Sequence, residues 1–215
     1  MEKLQYHTTY LIGAVDAISI KEAKGWRQDI TPFLKSLGIF VLNPMDKPID
    51  GYEEDEVFFK HKNKLKKEGR YQELYELGKP IRSFDLNCVD AANFLIVYLD
   101  LDVTLCGTWN ELFIADSQRK PCLIVCKQGV QAIPDWLFFT FPSEFFFNSF
   151  EYLKKYIRGI HDGSIQNSPR WWFINYEKIL PTQLTPPKPT CKQECKPYGP
   201  TQMNRTSASD YPPHY

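Results

Sequence analysis

The stretch Val97–Pro121, VYLDLDVTLCGTWNELFIADSQRKP, decides how this chain is read. It begins inside an apolar run, Phe94 to Leu99, that stops at the acidic Asp100 and Asp102. Gly107 and Thr108 then open a segment carrying Glu111, with Leu112, Ile114 and Ala115 behind it. A short apolar run bounded by charge reads as a buried strand, and the spacing after it reads as a helix. Strand, loop and helix in that order put Glu111 in the first turn of the helix. That turn lies beyond the carboxyl ends of the strands, where an open α/β sheet holds its ligands.

Upstream, Thr8 to Val15 (TTYLIGAV) is apolar and β-branched, and predicts a strand that turns at Gly13-Ala14. Gly13 would let backbone approach a ligand, although no GxGxxG follows it. Trp26, Ile30, Phe33, Leu34 and Leu37 recur at helical spacing, and Gly38 comes where the helix should stop. Ile39 to Leu42 reads as a second strand closed by Asn43-Pro44. Strand, helix and strand in so short a span predict a right-handed parallel unit. After a proline-containing loop, Met45 to Gly51, comes a helical insert of mixed charge over about 53–80. It reads either as a solvated helical pair with one apolar face or as a lid over the site.

Asp85 to Ala92 suits a short helix with Leu86 and Val89 toward the sheet. Asp85 then lies near the N-terminus of that helix, where the dipole favours a carboxylate; a simple cap is the competing reading. Downstream, Pro121 to Val125 predicts a fourth strand and Phe138 to Phe141 a fifth. Phe150, Leu153, Ile157 and Ile160 predict a final helix ending near Gly163. The aromatics of Trp136 to Phe147 and Trp171 to Phe173 are expected in the core or at a subunit interface. From Pro181 to Tyr215 proline, threonine, serine and glutamine dominate, which predicts a flexible tail after a domain covering 1–180.

Composition narrows the partners. The 215 residues include 26 Lys plus Arg and 26 Asp plus Glu, so no excess positive field draws the chain to nucleic acid. No run approaches the ~18 apolar residues of a membrane span, and a cytoplasmic protein with small-molecule partners is expected. Cys88, Cys122 and Cys126 lie in or beside apolar runs and read as small hydrophobes rather than as a disulfide framework. Cys191 and Cys195 (CKQEC) supply two ligands where structural zinc takes about four, so no metal site is expected. His7, His61, His161 and His214 have no partners at ligand spacing.

The acidic residues at the strand ends, Glu111, Asp85, Asp100 and Asp102, stand without a Ser/His/Asp set, a P-loop or a metal triad. Transfer or hydrolysis of a glycosidic bond is chemistry that carboxylates can run alone. The order Tyr10-Leu11-Ile12-Gly13, Asp85 with Asn93 eight residues on, then Gly107-Thr108-x-x-Glu111 with Ala115 and Lys120-Pro121, resembles the nucleoside 2-deoxyribosyltransferase family. It resembles especially the phage-borne and environmental members, which carry a similar charged insert before the aspartate.

That resemblance implies a flavodoxin/Rossmann-like three-layer sandwich with a parallel sheet of about five strands. It implies Glu111 as nucleophile at the anomeric carbon of a 2′-deoxynucleoside, Asp85 at the base, and Tyr10 orienting the nucleophile. Gly13, Asn93, Asp102, Gly107 and Thr108 would line the substrate. The partners implied are a nucleoside or nucleotide and a free base, with no cofactor, in a homo-oligomer. Thr104-Leu105-Cys106 departs from the acidic or proline-containing turn usual before the glycine. A nucleotide-binding or sensor module without turnover on the same fold is therefore the competing reading. A phosphate on the substrate would need a cradle, for which Arg27 or Arg82 is the donor in view.

Overall fold

The fold is that of a computed structural model, which describes residues 2–16, 18–48, 55–166 and 168–174, all within the unit Met1–Ile179. The expected tail, with Cys191, Cys195 and His214, lies outside the described residues. Among the described residues five strands carry the architecture: β1 (Thr8–Gly13), β2 (Phe40–Leu42), β3 (Phe94–Leu99), β4 (Cys122–Cys126) and β5 (Phe146–Phe147). They form one sheet in the order β2-β1-β3-β4-β5 with every pairing parallel. This order is the flavodoxin-like one, and its reversal point falls between β1 and β3.

Among the described residues six α-helices accompany the sheet: α1 (Ile20–Ser36), α2 (Glu56–Lys67), α3 (Tyr71–Ala91), α4 (Cys106–Ser117), α5 (Asp135–Thr140) and α6 (Phe150–Asp162). α1 and α6 meet on one face, and α3 and α4 pack against each other on the other, the arrangement that right-handed connections give. Trp26 of α1 stacks on Phe150 of α6 with ring centroids 5.5 Å apart, and both meet Tyr98 of β3. Local signals explain the ends. Ser19 and Glu22 form a reciprocal capping box on α1, and Gly163 ends α6 in the left-handed region at φ 82°.

The central strands β1, β3 and β4 are buried almost throughout, as a sheet covered on both faces requires. Trp171, Phe141, Phe145, Phe147 and Phe173 join this core, whereas Trp136 and Phe139 are exposed. No described helix is long and apolar enough to cross a membrane.

Two expectations about elements need correction. The fifth strand is Phe146–Phe147, and Phe138 to Phe141 instead belongs to α5 and its end. A short apolar run fits one or two helical turns as well as a strand, and here Leu137 alone turns into the core while Trp136, Phe138 and Phe139 face outward. Nor is Asp85 at a helix start. Tyr71–Ala91 is one helix of 21 residues that continues through Pro80, so Asp85 sits well inside it, beyond reach of any N-terminal cap or dipole. Proline in a helix interior costs about 3 kcal/mol. Burial of Cys88 and Val89 in the core is part of what offsets it.

Candidate active site

The site is assembled at the reversal point from four directions. Tyr10 projects from β1, Asp85 from α3, Glu111 from α4 and Lys47 from the loop leaving β2. The Tyr10 hydroxyl lies 3.0 Å from Glu111 Oε1 and 3.2 Å from Asp85 Oδ1, in donating position to both. Its single hydrogen serves one carboxylate at a time. When Glu111 holds a proton, that O–H can donate to the Tyr10 oxygen while Tyr10 donates to Asp85. The same Asp85 oxygen, Oδ1, lies 3.2 Å from Lys47 Nζ, with the lysine side chain only 3% exposed.

These groups form part of the wall of a cavity of about 640 Å³. Gly13 to Asp16 after β1 and Pro44 and Lys47 after β2 line one part of it. Residues Thr104 to Thr108 and Glu111 at the start of α4 line another. The insert supplies the rest: Phe59, Lys62, Asn63 and Lys66 from α2, and Leu74, Gly78, Ile81 and Asp85 from α3. The helical pair is thus solvated on its outside and a cavity wall on its inside. Lys62 ties it to the loop after β1 through Asp16, 2.5 Å away. A volume of this size lies within the range of small-molecule sites, about 300–1,000 Å³.

Electrostatics bear most on Glu111 and Tyr10. Burial, and next the nearby charge of Asp85, push the Glu111 carboxyl up to about 7 from its ordinary 4.5. The Tyr10 hydroxyl, Arg27 and Lys47 oppose that rise. Glu111 lies in the second turn of α4, because the helix begins at Cys106, so the expected first-turn placement does not hold. Helix-terminal stabilisation fades within a turn, and desolvation wins. Burial first, then Glu111 and Asp85, raises the Tyr10 phenol above its usual range, so it acts as a neutral donor. The Cys88 thiol, one helical turn from Asp85, is raised to about 11 by burial and is inert at neutral pH.

Of the residues expected to contact substrate, Gly13, Gly107 and Thr108 line the cavity. Gly13 has a structural reason as well: a Cβ there would lie 2.8 Å from the Tyr98 carbonyl and 3.3 Å from Trp26. Asn93 and Asp102 are not brought to the cavity. Asn93 sits at the amino end of β3, where its Oδ1 accepts from Thr8 N at 2.8 Å and its own N–H donates to the Thr8 carbonyl. Asp102 is exposed, with its N–H on Asp100 Oδ1. Asp100 is spent on Lys127 at 2.7 Å and Gln128 at 2.9 Å.

Arg27 is not placed as a phosphate donor. It is fully buried and donates to the carbonyls of Leu11, Ala23 and Gly13, bracing β1 past the last residue paired with β2. Arg82 is exposed and is not part of the cavity wall. Lys47 is the residue that spacing does not reveal. Its signal is positional: it follows the strand that ends at Asn43-Pro44, next to the reversal point, where a buried carboxylate needs a counter-charge. Among the described residues no group of three or more His, Cys, Asp or Glu is arranged to hold a metal ion.

No model of a known protein family matches the chain, and no curated protein matches it either.

Proposed function

We propose that this cavity cleaves or transfers the N-glycosidic bond of a (deoxy)nucleoside or nucleoside monophosphate, with Glu111 as nucleophile. One observation carries the reading: two carboxylates from different helices meet at one tyrosine hydroxyl on the wall of a ligand-sized cavity. Two carboxylates sharing one phenol raise the titration of Glu111 even with Lys47 beside Asp85, and groups perturbed in this way cluster at functional sites.

In this reading an ionised Glu111 oxygen bonds to C1′ of the sugar as the bond from C1′ to the base nitrogen breaks. The electron pair leaves with the base. Asp85 lies at the base and passes to the leaving nitrogen a proton drawn from the Lys47 ammonium beside it. Water or a second base then attacks C1′ and gives up its own proton through Asp85 to Lys47, while the C1′–oxygen bond to Glu111 breaks, returning the Glu111 carboxylate and giving free sugar or a new nucleoside. Tyr10 holds the Glu111 carboxylate in line for both steps.

Incubation with a deoxynucleoside and a free acceptor base is expected to give the exchanged nucleoside, and Glu111→Ala to abolish it. Release of free base without exchange identifies a hydrolase. Exchange that survives Glu111→Ala removes Glu111 as nucleophile.

A second reading, a nucleotide-binding module without turnover, is favoured by the raised Glu111 carboxyl, because a neutral acid does not attack carbon. Calorimetric binding of nucleotide with no product after long incubation at pH 8, where Glu111 is ionised, would establish it.

A further inference from the structure

The charges on the α2 wall have a pattern of their own. Of the lysines on α2, Lys60 pairs with Glu56 and Lys64 with Glu68, both one turn away along the chain and facing out. Lys62 and Lys66, also one turn apart, line the cavity together with Asn63. Two ammonium groups at this spacing repel each other, a mild penalty on the helix itself. Lys62 is partly offset by Asp16 at the cavity mouth, while the described residues give Lys66 no carboxylate within 4.0 Å. Across the same cavity the remaining ionisable groups are Asp85 with its partner Lys47, Glu111, the Tyr10 hydroxyl and the Cys106 thiol. The cavity is therefore bipolar, with a carboxylate floor and an ammonium and amide wall on α2.

We infer that Lys62, Asn63 and Lys66 form an anion subsite for a phosphate monoester, so that the substrate is a nucleoside 5′-monophosphate rather than a nucleoside. This rests on the glycosidic reading of the Tyr10, Asp85 and Glu111 floor. A free sugar and base present only neutral groups, which leaves the basic wall without a ligand. A monophosphate places its dianion between the ammonium groups and keeps it away from the two floor carboxylates, where like charge excludes it. Lysine suits this task as a mobile point charge with three donors, and the Asn63 amide adds a neutral donor at the same edge. Lys62 exchanges its Asp16 partner for the phosphate. Asp16 is the opposing charge in the subsite and sets a limit on its strength.

Calorimetry on the full chain tests the subsite, with a deoxynucleoside, its 5′-monophosphate and inorganic phosphate as probes. The wild type is expected to bind the monophosphate roughly tenfold tighter than the nucleoside, as one charge-assisted contact implies. Lys62→Gln with Lys66→Gln should abolish that preference and leave nucleoside affinity unchanged. Lys60→Gln with Lys64→Gln removes the same charge from the outward face and should preserve the preference. Inorganic phosphate should compete with the monophosphate and not with the nucleoside.

Equal affinity for the two ligands, or an equal loss in both double variants, overturns the subsite, the latter by reducing it to a general field. Binding of the nucleoside alone does so while the glycosidic reading stands. A lysine-dependent preference without cleavage of either ligand keeps the subsite and removes the glycosidic reading. Failure of both ligands to bind removes both. Equal melting temperatures of the two double variants and the wild type guard against misfolding.

Discussion

The two ends of the β1–β3 pair use the same kinds of side chain for opposite purposes. At the amino end, Asn93 closes on both backbone groups of Thr8, and Lys120 Nζ donates to the carbonyls of Val89 and Asp90. These polar side chains meet backbone partners, and the result is a fixed strand register. At the carboxyl end, Glu111 and Asp85 face one phenol, and burial pushes Glu111 up to about 7. Polar groups satisfied by backbone stabilise a fold, whereas polar groups set against each other around a cavity hold chemical potential that a ligand can release. The amino end is built to be left alone and the carboxyl end to be acted on.

The largest expected effect separates those roles in one residue. Glu111→Gln should lower exchange activity by about a thousandfold or more, as loss of a covalent nucleophile does. The same change should stabilise the protein. The folded carboxyl is pushed up to about 7 against an ordinary 4.5, so the wild type loses stability as pH rises from 4.5 through 7. At pH 8 the glutamine variant should be more stable by about 1–3 kcal/mol, and the gain should vanish near pH 4. Denaturant unfolding at the two pH values measures it, and a glutamine variant less stable at pH 8 would contradict this account of the carboxyl end.

Tyr10→Phe comes next. A hydrogen bond to a charged group contributes about 1.5–3 kcal/mol, so turnover should fall roughly ten- to a hundredfold. The hydroxyl lowers the Glu111 carboxyl, so its loss should move the acid limb of the pH–rate profile upward from near pH 7. A limb that stays in place would mean that Tyr10 only fills space.

At the amino end, Asn93→Ala should cost about 1–2 kcal/mol by leaving the Thr8 N–H without its acceptor. Activity per folded molecule should not change, and a fall in kcat at unchanged melting temperature would return Asn93 to the site. The smallest effect belongs to Asp102→Ala, within about 0.5 kcal/mol and without consequence for turnover, since the side chain is exposed beside a clamp formed by Asp100.

Much of the scaffold was legible because parallel strands buried on both faces leave continuous apolar runs. Phe94 to Leu99 is read to the residue for that reason. Gly38 and Gly163 punctuate α1 and α6 where a positive φ is needed. The candidate triad of Tyr10, Asp85 and Glu111 was legible as residues, and the structure brings the three together.

What the sequence concealed was context. Pro80 and Gly78 look like a boundary, and only tertiary packing carries α3 through them, which changes the surroundings of Asp85 from a helix start to a helix interior. Glu111 is the sixth residue of α4 and so lies outside its first turn, and burial with the nearby charge of Asp85 raises its carboxyl. Lys47 has no motif, and its place beside Asp85 follows from where β2 ends. Asn93 resembles a site residue by its distance from Asp85, yet eight residues carry the chain off the helix to the opposite end of the sheet.

The outermost strands of the sheet are also its shortest, three residues in β2 and two in β5. An all-parallel sheet leaves a row of unpaired amides and carbonyls along each rim, and a long rim is a template for strand addition by another chain. Here the template is one or two residue pairs long at either side. Self-association through continuous β-pairing is thereby disfavoured, and fibril-type growth from the folded state has almost no edge on which to start.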